Sequence, residues 1–597
     1  MSRDEPTYVG EVQSVNGGLL SAVLHEHLPS TLLVRGQSYR LGQIGSFMRL
    51  PLGYADLYGI VTQSGAAAVP QQVAINNVMG ARWLTIALFG ESLGGVFARG
   101  VSQYPTVGDE VHLVTNDDLS VIYKTGTEIA PIILGDIAGS SGITARLDLS
   151  RMVSRHTAVV GSTGSGKSNL VSILLDAIAQ QGYPNARVLL FDPHGEYAAP
   201  VGDLGYVFRT TPAAPRDRRL RIPYWALPFD ELEALALGEM QQSTEAQVRD
   251  QVAAMKLTAA QAIDLRLDAS IVTADSPVPF DIRQLWFDLD DYERRTYSDS
   301  AKTQPATLIE QGDAQELLPN MYPPPSAGMA APYRGNPRNI GRQLDLLRSR
   351  IQDPRYSFLF NPGDDVMPNE AGAVETDLDT LVAEWVGHDR PITVIDVSGM
   401  PSEALTAVIG TMLRIIYDTL FWAGDLAISG RSQPILVVLE EAHLLLAEGQ
   451  ETAAHRTIRK IAKEGRKYGV GLMIVTQRPK EIDSTVLSQC GTFISLRLSN
   501  SDDRSRVAAA LPDDLGGLVN LLPSLRTGEG LVIGEAMPIP SRILFRKAAK
   551  KPVGDDPDLA AAWRQETRPD PAEYALAVSR WRLQRVDARE RGEAPDA

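Results

Sequence analysis

The sequence predicts a multidomain α/β protein in which a parallel-sheet core follows a small antiparallel β-barrel. Three observations predict it. Short, nearly unbroken apolar runs end in polar or Gly-rich turns at His156–Val160, Val188–Phe191, Ile392–Val397, Ile435–Leu439 and Gly471–Val475, as strands covered on both faces do. Helix-like stretches follow, for example Asn169–Gln180 and Glu403–Phe421. The first 120 residues instead carry several short period-two segments with no helical period between them, which suggests a closed or nearly closed barrel.

Taken in order, the N-terminal segments are Tyr8–Val15, Ser30–Val34, Leu57–Thr62 and Trp83–Leu88. Turns such as Asn16-Gly17-Gly18 and Val107-Gly108-Asp109 separate them. The barrel is expected within residues 1–120 and a linker over 121–150, where Gly139-Ser140-Ser141-Gly142 lies.

The run Gly161-Ser162-Thr163-Gly164-Ser165-Gly166-Lys167-Ser168 fits the phosphate-binding pattern G-x-x-x-x-G-K-[ST] without a gap. Gly161, Gly164 and Gly166 let the backbone curl so that successive N–H groups face a polyphosphate. The helix opening at Asn169 presents its positive end to the same phosphates. Lys167 is the residue to reach the β- and γ-phosphates of ATP, and the Ser168 hydroxyl the one to meet Mg²⁺. The alternative is an ordinary Gly-rich turn; the apolar strand before the loop and the helix after it argue against that.

Hydrolysis needs a second site of carboxylates. The strand Ile435–Leu439 ends in Glu440 and Glu441, at the strand end where ligands bind in open α/β sheets. Glu440 stands where the usual motif has an Asp that orients Mg²⁺, a departure that lengthens the side chain. Glu441 is then the general base for the attacking water. An acidic helix cap is the structural alternative for the pair.

Gln477, closing the strand Gly471–Thr476, is placed to read the γ-phosphate or the attacking water. Over His455–Tyr468, Arg456, Arg459, Lys460, Lys463, Arg466 and Lys467 fall on one side of a predicted helix, opposite Ala454, Ile458, Ile461 and Ala462. That side is either a solvated face or a subunit-interface stripe with Arg466 as an arginine finger, a device worth about 10³–10⁵ in rate. Arg155, before the strand that feeds the loop, is a second possible trans contact.

The set GSTGSGKSN, DPHGEY, LEEAH, KEGRKYG and TQRP, in this order, resembles the HerA branch of the HerA/FtsK ATPases. The resemblance covers roughly residues 5–550. It implies a RecA-like P-loop ATPase core behind an N-terminal β-barrel, and a hexameric double-stranded DNA translocase or helicase driven by Mg²⁺-ATP. On this reading Gly161 to Asn169 bind nucleotide, and Ser168 and Glu440 hold the metal. Lys167, Glu441 and Gln477 act from one subunit of a homo-hexamer, and Arg466 or Arg155 from its neighbour.

The predicted core comprises residues 151–210 and 390–550. Residues 211–389 are an insertion, largely helical (Gln241–Thr273) with an irregular stretch at Tyr297–Asn336, and 551–597 are a tail whose Leu559–Arg564 and Ala572–Asp587 suggest short helices. Arg294, Arg295, Lys302, Arg334 and Arg338 are either DNA contacts or solvated loop charges.

A chain of 597 residues exceeds one ordinary domain, and 44% hydrophobic with 22% charged residues is globular. No apolar run approaches the length of a membrane span, and the N-terminus has no signal-peptide core. A single cysteine, Cys490, fits a reducing cytoplasm. The net charge of −16 opposes a DNA-coating surface but not a ring with a basic lumen.

Two functions follow. One is the DNA motor, working with a separate nuclease of the NurA type, or with another effector, in DNA repair or antiviral (anti-phage) defence. The other is a hexameric platform that organises a nuclease or a sirtuin-like NADase, with translocation secondary. No DNA-cutting constellation is visible outside the ATPase motifs. An ATPase acting on protein is a third, fold-level possibility.

Overall fold

Period-two patterning does build a barrel. The computed structural model describes residues 5–65, 82–124, 131–138, 140, 142–180, 182–262, 268, 270–327, 330–370, 372–511, 513–550, 552, 559–564 and 570–583. Before Val114 it contains β1 (Tyr8–Asn16), β2 (Leu19–Leu24), β3 (Thr31–Val34), β4 (Gln37–Arg40), β5 (Phe47–Leu52), β6 (Ala55–Gly65), β7 (Trp83–Leu93), β8 (Val96–Arg99) and β9 (Glu110–Leu113). Six run in the order β2-β1-β9-β5-β6-β7, and antiparallel pairing of β2 with β7 closes the ring. Alternate residues (Val9, Val12, Leu20, Met48, Leu50, Leu57, Ile86, Val111) fill its interior. Phe47, Tyr58, Ile60 and Phe97 instead join the larger core, which Leu119 and Ile122 of helix Asn116–Lys124 also enter.

The second sheet has twelve strands. They are β10 (Ile132–Ile137), β11 (Thr144–Leu147), β12 (Thr157–Val160), β13 (Arg187–Asp192), β14 (Gly205–Arg209) and β15 (Asp217–Arg219), then, after a small ladder of β16 (Thr296–Tyr297) with β17 (Tyr333–Arg334), β18 (Ile392–Asp396), β19 (Ile435–Leu439), β20 (Val470–Thr476), β21 (Thr492–Leu496), β22 (Glu529–Gly534) and β23 (Ser541–Phe545). The order is β11-β10-β23-β22-β21-β12-β20-β19-β13-β18-β14-β15. Pairing is parallel from β21 to β15 and antiparallel on the β22 side. All residues of β12, β18, β19, β20 and β21 are buried, which is why they read as apolar runs rather than alternations.

Helix Lys167–Gln180 buries Leu170, Val171, Ile173 and Leu174 to 1% exposure or less, each worth roughly 1.5–3 kcal/mol of transfer free energy. Helix Ser402–Trp422 is apolar and long enough to cross a bilayer, unlike the expectation that no segment would be, but 67% of its most apolar window is buried inside the molecule. It crosses helix Ala453–Glu464 closely: a Cβ at Gly410 would lie 2.6 Å from the Ala454 nitrogen.

The structure differs from the sequence expectation over 121–150. The presumed linker carries β10 and β11, and β10 pairs with β23 through Gly135–Phe545, Asp136–Leu544 and Ile137–Ile543. Gly139 and Ser141 lie outside the described residues. The insertion opens as sheet, because β15 pairs with β14 at the parallel edge before the helices Gln242–Ala262, Ile282–Arg294 and Gly341–Gln352. Its irregular stretch is pinned: Asp291 Oδ1 accepts from Asn320 and from the Tyr322 hydroxyl, both at 2.7 Å. The cations read there as possible DNA contacts are engaged internally: Arg294 with Asp290, Arg295 with Asp291, Lys302 with Asn336 and Arg338 with Gln247. Arg334 lies in β17. In the tail, helices span Leu559–Trp563 and Pro571–Leu583; residues 584–597 of the stretch read as helix or tail lie outside the described residues.

Candidate nucleotide site

The phosphate loop fills the turn between β12 and helix Lys167–Gln180. Gly164 and Gly166 have φ of 69° and 109°, a region in which only glycine is free of strain. The loop is braced from outside: the Ser162 N–H donates to Arg497 O at 2.8 Å, and the Ser165 carbonyl accepts from Gly528 N–H at 3.0 Å. Gly161 has no room for a side chain, since a Cβ would lie 2.6 Å from Ser165 Oγ and 2.9 Å from Leu496 Cβ. Lys167 is buried, and its Nζ reaches Ser162 O at 3.4 Å. Burial lowers its pKa, against an upward pull from Glu441, Glu440 and Glu196.

One strand, β20, lies between β12 and β19, so the C-terminal ends of all three open on the same space. That space is a cavity of about 940 Å³ lined by Thr163, Gly164, Gly166, Lys167, Ser168 and Asn169, with Glu440, Glu441 and Gln477. The parallel registers place the sequence-predicted residues of one subunit around a single volume. Thr163 donates its hydroxyl to Gln477 Oε1 at 2.5 Å. Asn169 turns elsewhere: its amide donates to Arg546 O at 3.0 Å and accepts from Ala548 N–H at 2.9 Å. It thereby straps the segment after β23 against the loop, and Phe545–Ala549 form part of the cavity wall.

The two glutamates differ in environment. Glu440 is 7% exposed, and burial, reinforced by Asp192 and Glu441, pushes its carboxyl up to about 8 against the pull of Tyr197 and Lys167. Glu441 has left-handed backbone, φ 45°, which turns its side chain off the line of the strand. Burial raises its pKa too, but His443, Lys167 and His194 outweigh this and hold the carboxylate below its ordinary value. His443 Nδ1 lies 3.2 Å from Glu441 Oε2. The two carboxyls are thus set apart: Glu441 is ionised, and a divalent cation bound at Glu440 would displace the proton that burial favours there.

The DPHGEY segment forms the cavity's other side. Asp192 is buried, and its carboxylate accepts N–H bonds from His194, Gly195 and Tyr197 at 3.2, 2.8 and 2.9 Å. This fixes the turn and places His194, Glu196 and Tyr197 on the wall. Tyr197 and the 545–549 strap are the contributors that sequence reasoning missed. Both act across hundreds of residues, and neither carries a pattern of its own.

Arg466 and Arg155 are not brought to this cavity. Arg466 lies in the 3₁₀ turn Gly465–Tyr468 just before β20, and Arg155 just before β12, at the end of the sheet opposite the phosphate loop. The seven residues of β20 separate Arg466 from Gln477, a span of about 23 Å at roughly 3.3 Å per residue. Arg466 lines a second cavity of about 670 Å³, with Arg187 and Arg431. Arg155 Nε pairs with Glu535 Oε2 at 3.3 Å. Of the predicted basic side, Arg456, Lys460, Lys463, Arg466 and Lys467 are exposed, whereas His455, Ile458, Ile461 and Ala462 are buried. His156 ties this helix to the sheet, its Nε2 3.1 Å from Ala462 O and its Nδ1 accepting from Leu472 N–H at 3.0 Å.

These segments fall within regions that match known proteins. Residues 132–416 match the family model of the helicase HerA central domain, and 384–535 that of the helicase HerA-like C-terminal domain. The chain is 27% identical over 465 residues to a DNA double-strand break repair helicase HerA of Sulfolobus acidocaldarius, covering 77% of each chain. It is 24% identical over 469 residues to the corresponding helicase of Pyrococcus furiosus, covering 73% of this chain and 72% of that one. Among solved structures, VirB4 of Thermoanaerobacter pseudethanolicus aligns at TM-score 0.46 and 17% identity, covering 71% of this chain and 98% of that one. Plasmid coupling protein TrwB with the ATP analogue ADPNP aligns at 0.42 and 14%, covering 74% and 95%. The two family matches together run from β10 to the end of β22, through the loop, the paired glutamates and Gln477, so that the chain belongs to the HerA helicase family.

Proposed function

We propose that this chain is a Mg²⁺-ATP-dependent translocase or helicase of double-stranded DNA that works as a homo-hexameric ring with one nucleotide at each interface. The observation that carries it is the convergence of Lys167, Glu440, Glu441 and Gln477 on the cavity at the C-terminal ends of β12, β19 and β20. That relatives are DNA double-strand break repair helicases supports duplex DNA as the substrate.

The donor set suits Mg²⁺. Ser168 and Glu440 offer hard oxygen ligands beside the loop that takes the phosphates, and Mg²⁺ is bound through one or two protein oxygens plus phosphate and water. When bound, the metal would neutralise charge on the transferring phosphoryl group. The chain's residues do the rest. Loop N–H groups and Lys167 grip the polyphosphate. Glu441, held ionised by its bond to His443 and by Lys167, takes the proton of the attacking water. Gln477, fixed by Thr163, orients that water or the γ-phosphate.

Placement of Arg466 and Arg155 at the far end of the sheet supports a role in trans. Neither reaches its own cavity, and in a head-to-tail ring a residue away from its own site would be available to the nucleotide of the next subunit. We assign the finger to Arg466, which is exposed, and keep Arg155, already paired with Glu535, as the second choice. The setting is cytoplasmic, and a separate effector such as a nuclease supplies any cutting in DNA end processing or anti-phage defence.

The test is ATP turnover by the purified ring, with and without linear duplex DNA at low salt. Stimulation by duplex is expected. Turnover that duplex DNA neither stimulates nor alters, with no DNA bound, overturns the motor.

A further inference from the structure

Tyr197 touches both proposed metal-holding residues. It is 1% exposed, with its ring enclosed in the core. Its backbone N–H donates to Asp192 Oδ2 at 2.9 Å, so the DPHGEY turn delivers it to the cavity in a fixed orientation. Its hydroxyl donates to Glu440 Oε1 and also meets the Ser168 side chain.

A phenol has a single O–H to give. With that proton directed at Glu440, the contact with Ser168 runs the other way, and the serine hydroxyl donates to the phenol oxygen. The result is a chain of donors, Ser168 to Tyr197 to Glu440. It fixes two things. The Ser168 proton points away from the phosphate side, which leaves an oxygen lone pair facing the cavity. Glu440 has one carboxylate oxygen occupied and the other free.

We infer that Tyr197 is a positioning residue for the metal: its hydroxyl joins Ser168 to Glu440 and orients the oxygen that each presents to a divalent cation. The inference rests on the proposed nucleotide site and deepens it. Groups that hydrogen-bond to a metal's ligands govern the orientation of those ligands, and their loss costs about 10–100-fold in metal affinity.

The test uses the full chain with Tyr197→Phe, which keeps the ring and removes the hydroxyl. Binding of a fluorescent ADP in EDTA reads the phosphate grip alone, and Mn²⁺ binding to the ADP complex, followed by electron paramagnetic resonance, reads the metal. The expected result is ADP binding in EDTA within about twofold of the parent, with Mn²⁺ affinity lower by about 10–100-fold. Unchanged Mn²⁺ affinity overturns the role of Tyr197 and leaves the site reading standing. A parent chain that binds no ADP overturns the site reading, and this inference with it. Should Tyr197→Phe fail to fold, difluorotyrosine at position 197 keeps the shape and alters only the hydroxyl's acidity. A shift in Mn²⁺ affinity with unchanged binding in EDTA is then expected, and no shift overturns the inference.

Discussion

Thr163 donates its hydroxyl to Gln477 Oε1 at 2.5 Å, tying the phosphate loop to the end of the strand that lies between it and the paired glutamates. The bond fixes the rotamer of Gln477, and with its carbonyl occupied the amide NH₂ is free to donate to a phosphate oxygen or a water. Gln477→Ala should therefore lower turnover while leaving ATP binding nearly intact, since it removes the donor without adding a charge beside the γ-phosphate. Loss of a single preorganised donor costs about 10²–10³ in rate. Parallel measurements of nucleotide affinity and turnover check this; equal loss of both would move Gln477 from the chemistry to simple binding.

Lys167→Ala and Glu441→Gln should separate two steps. Lys167 meets the polyphosphate, so its removal should weaken ATP binding and abolish turnover. Glu441→Gln keeps the shape and loses the base, so ATP should bind and persist unhydrolysed. Because its surroundings hold the Glu441 carboxyl below the ordinary value, the parent's turnover should not fall on the acidic side until pH drops below that ordinary value of 4.5 on account of this group. Parent-rate hydrolysis by Glu441→Gln would remove Glu441 from the mechanism.

The core was legible where burial imposes a pattern. β12, β13, β18, β19 and β20 are covered on both faces, so their residues had to be apolar, and their polar ends stood out as sites. β10 was not legible, because its pairing partner β23 lies some four hundred residues on and its segment IILGDI reads equally well as a loop. Tyr197 escaped notice for the same physical reason: its bond to Glu440 spans 243 positions, and a tyrosine in a polar turn carries no periodic signal. Asn169 was legible as part of the loop but not in what it holds, the backbone of Arg546 and Ala548.

Arg466→Ala should leave ATP binding by single subunits nearly unchanged and remove hydrolysis in the ring, by about 10³–10⁵ if it stabilises the transferring phosphoryl group. Mixing it with Glu441→Gln tests the geometry directly. Some mixed interfaces then join an intact base to an intact arginine, so partial turnover should return. No recovery at any ratio, with subunit exchange confirmed, would place the Arg466 defect inside its own subunit, where β20 separates it from the cavity.

The DNA prediction follows from charge. The chain carries a net −16, so a DNA grip must be local, in a lumen, rather than spread over the outer surface. Contacts made there to backbone phosphates should show weak sequence preference and strong salt dependence. For a protein neutralising Z phosphates of duplex DNA, log K falls with log salt at a slope of about −0.9Z, and several subunits contributing together should give Z of at least about 4. An acidic exterior also favours threading over wrapping, so linear duplex should bind better than closed circles of the same sequence. Titrations of both forms across a salt series measure slope and end-dependence together. A slope near zero would mean that phosphates are not what the ring holds; equal affinity for circles and linear duplex would mean that DNA does not enter through a closed ring.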